Sequence, residues 1–210
     1  MGNGLTVISL EGGRNMNQNE FGMLLQNDKY TVEITEDQSY VIDSEDNKAY
    51  DFVMNPNHFG RNHWYKTLCI AIEGVKRVKI ALLGDCDTAE RDCAILEGDI
   101  LTVLLKDTVM QIDLSSAELV GTYRVDVFGA TFTINRMSAG YLIYGEMEIL
   151  RLDDAFNTVW KFSGKDIFAS VTGKNAFELT DHSIRLYDYQ DNFYELDFDG
   201  NIINQTVKGS

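Results

Sequence analysis

The feature that most limits how this chain can fold is a threefold internal repeat in its C-terminal half. Segments 99–126, 140–166 and 182–207 each run as an apolar strand, a charged turn, a second strand ending in an aliphatic–Asp pair, a short turn and a third apolar pair. The pairs Ile112-Asp113, Leu152-Asp153 and Leu196-Asp197 anchor the alignment at spacings of 40 and 44 residues. Downstream of them stand Leu119-Val120, Val159-Trp160 and Ile202-Ile203. In the last unit Tyr194, Leu196 and Phe198 alternate with Glu195, Asp197 and Asp199, the period of two that a half-buried strand requires. Asp199-Gly200 is a hairpin-turn signal. Each unit is predicted to be a small antiparallel meander. One such sheet leaves an apolar face uncovered, so neighbouring units must stack.

Upstream, the alternating runs YTVEI, SYVID and KAYDFV after residue 29 predict further strands, separated by the turn-forming clusters TEDQ and SEDN. WYKTLCIAIE and RVKIALLG predict two more, joined across residues 73–76. Residues 1–28 predict an N-terminal strand at Leu5–Leu10 followed by a flexible Gly- and Asn-rich loop. The helical signal is limited to about one turn at 88–91. No composition shift marks a boundary, so residues 1–210 read as a single all-β domain of stacked antiparallel meanders, with three repeat units over 93–207.

The unit LRLDDAFNTVWKFSG (150–164) carries an aliphatic-x-Leu-Asp run, a turn and a Trp-bearing strand. On these residues the repeat over 93–207 resembles that of quinoprotein-type β-propellers, in which such a unit makes up a blade. The resemblance implies a β-propeller-like architecture with Trp160 at the docking position; a twisted β-sandwich or an incomplete propeller is the alternative. Val120 and Ile203 replace the Trp in the other units, and only Gly200 keeps the turn glycine. Nothing matches that family's quinone or metal ligands, so the resemblance implies architecture and no cofactor.

Charge narrows the partners. Lys and Arg number 18 against 33 Asp and Glu, a net charge of −15. Nucleic-acid binding needs a basic surface that displaces counterions, and an anionic membrane surface needs the same. Both are excluded as partners. No apolar run reaches the length of a membrane span and no basic leader opens the chain. Cys69, Cys86 and Cys93 are an odd, sparse set, which predicts free thiols in a reducing, cytoplasmic setting.

No catalytic motif emerges. His58 and His63 flank a loop whose spacing specifies no metal geometry, and packing on Trp64 or Tyr65 is the expected role. Acidic neighbours make Cys86 and Cys93 poor nucleophiles. Glu146 with Glu148, and the carboxylates of the last unit, leave open a glycan-binding protein or a carboxylate-dependent glycoside hydrolase, which would need an acid pair across a cleft. The reading therefore leans away from an enzyme.

Charge distribution supplies the one directional hint. Residues 29–51 hold seven acids and two bases, and residues 178–199 hold seven acids and one base. Such a surface suits a non-enzymatic interaction module with an acidic face, in the form of an immunity or inhibitor protein that binds a basic protein. Candidate binding residues are Asp188, Asp191, Asp197, Asp199, Tyr187 and Tyr189.

Overall fold

The computed structural model describes residues 22–85, 92–170 and 172–208. Among them are seventeen strands and no helix, hence no helix long and apolar enough to cross a membrane. The strand expected at 5–10, the helical turn at 88–91 and Cys86 lie outside the described residues. Packing divides the chain into two compact units, Met1–Arg124 and Val125–Ser210.

The first unit opens with a five-stranded sheet: β1 (Gly22–Gln26), β2 (Thr31–Glu36), β3 (Phe52–Met54), β4 (Lys66–Glu73) and β5 (Arg77–Gly84). Its spatial order is β1-β2-β4-β5-β3, antiparallel except that β3 runs parallel to β5. Strand β1 replaces the end of the flexible loop expected up to residue 28, because Met23 and Leu25 alternate into the core. The second sheet is the meander β6 (Ala94–Glu97), β7 (Ile100–Leu105), β8 (Thr108–Asp113) and β9 (Glu118–Arg124). Val32, Ile34, Leu68, Ile70, Ile72, Ile80 and Leu82 share one buried cluster with Leu101, Val103, Leu105, Met110 and Ile112. Each such side chain contributes roughly 1.5–3 kcal/mol of burial free energy.

The second unit holds two more meanders. One is β10 (Thr131–Arg136), β11 (Tyr141–Gly145), β12 (Ile149–Leu152) and β13 (Thr158–Phe162); the other is β14 (Phe177–Leu179), β15 (Ile184–Tyr187), β16 (Phe193–Leu196) and β17 (Ile202–Thr206). Leu142 and Ile149 bury against Phe168, Ile184, Leu186, Tyr194 and Leu196. Trp160 of β13 donates its indole N–H to the Phe198 carbonyl at 3.1 Å, and its ring lies against the turn at Gly200. That contact is the docking expected of Trp160.

Each of the three segments lies in a meander of four strands, one more than the sequence pattern predicts. Ile112, Leu152 and Leu196 are fully buried; Leu152 and Leu196 end β12 and β16 with their Asp just beyond, whereas Asp113 is itself the last residue of β8. The fourth strands also share an irregularity. Gln111 pairs Gly121 while Ile112 pairs Leu119; Arg151 pairs Trp160 while Leu152 pairs Thr158; Glu195 pairs Asn204 while Leu196 pairs Ile202. Val120, Val159 and Ile203 are thus the extra residue of a β-bulge, at equivalent positions and all exposed. This register corrects the alignment by one residue in the middle unit: Trp160 corresponds to Gly121 and Asn204, not to Val120 and Ile203. Four-stranded meanders in chain order are the blade unit of β-propellers, so the fold is all-β and propeller-like.

Candidate functional site

The last sheet carries the six residues expected to bind. Three of its unit's hairpins close on one device, Asp-x-x-x-Asn, at 153–157, 188–192 and 197–201. In each, Asp Oδ1 accepts the backbone N–H groups two and four residues on, and Asp Oδ2 accepts the Asn side-chain amide at 2.8–3.0 Å. The fourth residue (Phe156, Asp191 or Gly200) takes a positive φ and donates its N–H to the Asp carbonyl. Such Asx hydrogen bonding is what lets a non-glycine residue hold that backbone conformation. The Asn partners pull the Asp153 and Asp197 carboxyls below the usual range.

Asp188 and Asp197 are therefore turn clamps. Asp188 is fully buried and also accepts the Tyr194 hydroxyl at 3.1 Å. Asp191 accepts the Thr172 hydroxyl at 3.0 Å and pairs with Lys208 at 3.3 Å and Lys174 at 3.4 Å, which hold its carboxyl low. The same Lys174 lies 4.7 Å from the Tyr187 ring, which packs on Phe193. Tyr187 and Asp191 are thus brought together, but around lysine. Of the six, Asp199 and Tyr189 stand exposed. Residues 29–51 and 178–199 fall in different compact units. Elsewhere, Glu148 accepts the Phe128 N–H at 3.2 Å and lies 3.6 Å from Lys161.

A second gathering of polar and aromatic groups was not foreseen. The stretch between β2 and β4 forms an insertion that, apart from the short β3, runs through turns; SYVID, expected as a strand, is part of it. Alternation in the first sheet turns Ala81 and Leu83 away from the main core. The insertion covers them with Ile42, Tyr40, Tyr50, Phe59 and Tyr65 as a second small core. Phe59 stacks on Tyr65 at 5.9 Å and Tyr40 meets Tyr50 edge-on at 5.8 Å. Hydrogen bonds lock the backbone. Asn47 accepts from the Val41 N–H and donates to its carbonyl, and Asn55 does the same with Phe59. The Tyr65 hydroxyl accepts the Ile42 N–H, and the Arg61 guanidinium donates to the Ile42 and Asp43 carbonyls.

Asp37 anchors this insertion. Its buried carboxylate accepts from the Ser39 hydroxyl and the Tyr50 hydroxyl, both at 2.6 Å, from the Ser39 N–H at 3.1 Å, and from Lys48 at 3.2 Å. Burial alone would push this carboxyl up, but the donors outweigh it and pull it from 3.8 to about 2. Because the folded value lies below the unfolded one, the stabilisation is complete above pH 4 and is lost as pH falls through 2. It amounts to roughly 2 kcal/mol at neutral pH. Acid titration of unfolding is expected to show this loss between pH 4 and 2, and Asp37→Asn to flatten that limb of the curve.

What the insertion presents is Trp64, 86% exposed. The strand alternation of β4 would place Trp64 in register with Leu68 and Ile70, but β4 begins only at Lys66. Beside it, His63 Nδ1 accepts the Gly60 N–H at 2.9 Å and its ring sits 6.1 Å from Phe59. Val41, Phe52 and Val53 of the insertion are exposed as well. Three carboxylates at its 43–46 turn, Asp43, Glu45 and Asp46, make no side-chain hydrogen bond or ion pair among the described residues, whereas Lys48 and Arg61 are both engaged.

No family model and no curated protein matches the chain. Solved structures are similar at low identity. BamB from Moraxella catarrhalis superposes with a TM-score of 0.49 and 14% identity, over 96% of this chain and 64% of that one. Apo AztD from Citrobacter koseri gives 0.45 and 9%, over 88% of this chain and 58% of that one. A protein of unknown function from Bacteroides caccae gives 0.41 and 9%, over 88% and 77%. The chain thus spans about three-fifths of the length of the first two.

Proposed function

We propose that this protein is a non-enzymatic interaction module that docks a basic protein on the insertion between β2 and β4. The observation that supports this reading is Trp64, almost wholly exposed on a backbone that hydrogen bonds and the buried Asp37 hold in place. An exposed tryptophan on a pre-organised surface is the residue type that dominates interface energetics, since burying it releases a large apolar area at little entropic cost. The free carboxylates of Asp43, Glu45 and Asp46 set the sign of the partner, and they act chiefly on the rate of encounter. An immunity or inhibitor protein that neutralises a cationic protein has this chemistry.

The test compares capture by the wild-type chain and by Trp64→Ala, with the retained protein identified and titrated. A stoichiometric partner rich in Lys and Arg is expected, its affinity falling about 30-fold or more on Trp64→Ala. Added salt is expected to slow its association. If no stoichiometric protein is retained, or if Trp64→Ala binds it as well as wild type, the reading fails.

A further inference from the structure

The outer edge of the last sheet differs from the other outer edges of the meanders. In β9 the edge carries Glu118 and Arg124, and in β13 it carries Lys161. Charges on an edge strand keep it from pairing with another chain. All three strands share the bulge, so the bulge does not distinguish them. Strand β17 carries no charge at all: residues 200–207 read GNIINQTV. Every residue of the strand is exposed on both faces, including Ile202 and the bulged Ile203, which is 56% exposed. In a chain of net charge −15, this is an edge along which like charges do not meet.

The ends of the strand are charged, and oppositely. Asp199 precedes it, exposed and with no side-chain partner among the described residues; Lys208 follows it, largely exposed and ion-paired with Asp191 at 3.3 Å. An antiparallel pairing of β17 with a second β17, centred on Asn204, sets the Lys208 end of each copy against the Asp199–Gly200 end of the other. A two-fold arrangement of this kind is self-complementary and closed at the contact: it consumes the β17 edge of both copies, so the pairing does not propagate through β17 to a third chain. We infer that two copies of this chain associate through β17, joining their last meanders into one continuous eight-stranded sheet. This rests on observations separate from the Trp64 surface, which stays available in each copy.

Light scattering on the purified full-length chain across a concentration series tests the inference. The expected result is a concentration-dependent rise to twice the single-chain mass. Ile203→Lys places a charge on the edge of each copy and is expected to weaken self-association about tenfold or more. Gln205→Lys serves if Ile203→Lys does not keep the wild-type circular dichroism spectrum. Val159→Lys, at the equivalent bulge of β13, is expected to leave the dimer intact. A single-chain mass at every concentration overturns the inference, as do open-ended larger assemblies, a dimer indifferent to both β17 variants, or a dimer equally sensitive to Val159→Lys.

Discussion

Gly140→Ala is expected to destabilise the second unit by about 4 kcal/mol, enough that the variant accumulates poorly and unfolds at markedly lower urea concentration. Gly140 sits in the β10–β11 turn with φ +91°, and a Cβ there would lie 2.1 Å from the Leu152 carbonyl oxygen and 2.6 Å from the Asp153 carbonyl carbon. These are backbone atoms of the neighbouring hairpin, so no side-chain rotation relieves the clash. Opening the contact would also disturb the Gly140 N–H bond to Asp154 Oδ1 at 2.9 Å, and the Arg136 bond to the Gly140 carbonyl at 2.8 Å. Gly98→Ala is the control. Its φ is also positive, +58°, but nothing lies within 4 Å of its added Cβ. That variant is expected to lose only the conformational part, about 1 kcal/mol. Equal losses in the two variants would show that the clash with the 152–153 backbone is not what makes residue 140 intolerant.

Removing the Asp188 carboxylate is the second large effect. Asp188→Ala leaves the Gln190 and Asn192 N–H groups, the Asn192 amide and the Tyr194 hydroxyl without their shared acceptor. Asn192 and Tyr194 are buried, so water does not readily replace what is lost. The expected loss is about 3 kcal/mol, or roughly 10 °C in the thermal midpoint. Asn192 also accepts the Lys208 N–H at 2.8 Å, so the residues after β17 are expected to lose hydrogen-exchange protection together with the 188–192 turn. Asp188→Asn, which keeps an oxygen but turns an amide toward a donor, is expected to fall between the two. A midpoint within about 2 °C of wild type for Asp188→Ala would mean that this carboxylate is dispensable to the turn.

The candidate binding face of the sequence reading and the clamps of the structure involve the same aspartates. Abundant acidic residues in 178–199 suggested an electrostatic surface, yet Asp188, Asp191 and Asp197 spend their oxygens on turns and on Lys174 and Lys208. One signal for this stood in the sequence: an Asn four residues after each of Asp153, Asp188 and Asp197. No comparable signal marks Trp64. Its neighbours alternate as though the strand began two residues earlier, whereas β4 starts at Lys66 and Tyr65 joins the small core over Ala81 and Leu83. The first strands of two meanders, β6 and β14, are equally hard to read, since they have four and three residues, too few to show a period.

By itself, then, the order of residues determined the strands that carry the repeated pattern and the need of each sheet to cover one apolar face. A two-residue period with an aliphatic–Asp anchor is a local pattern, and a sheet with one apolar face has to bury it. Tertiary structure alone decided which carboxylates remain available, where the bulges shift the register by one residue, and that a tryptophan faces outward. Those outcomes depend on which donors and apolar surfaces the returning chain brings within a few ångströms, and such meetings between distant residues leave no periodic trace in the sequence.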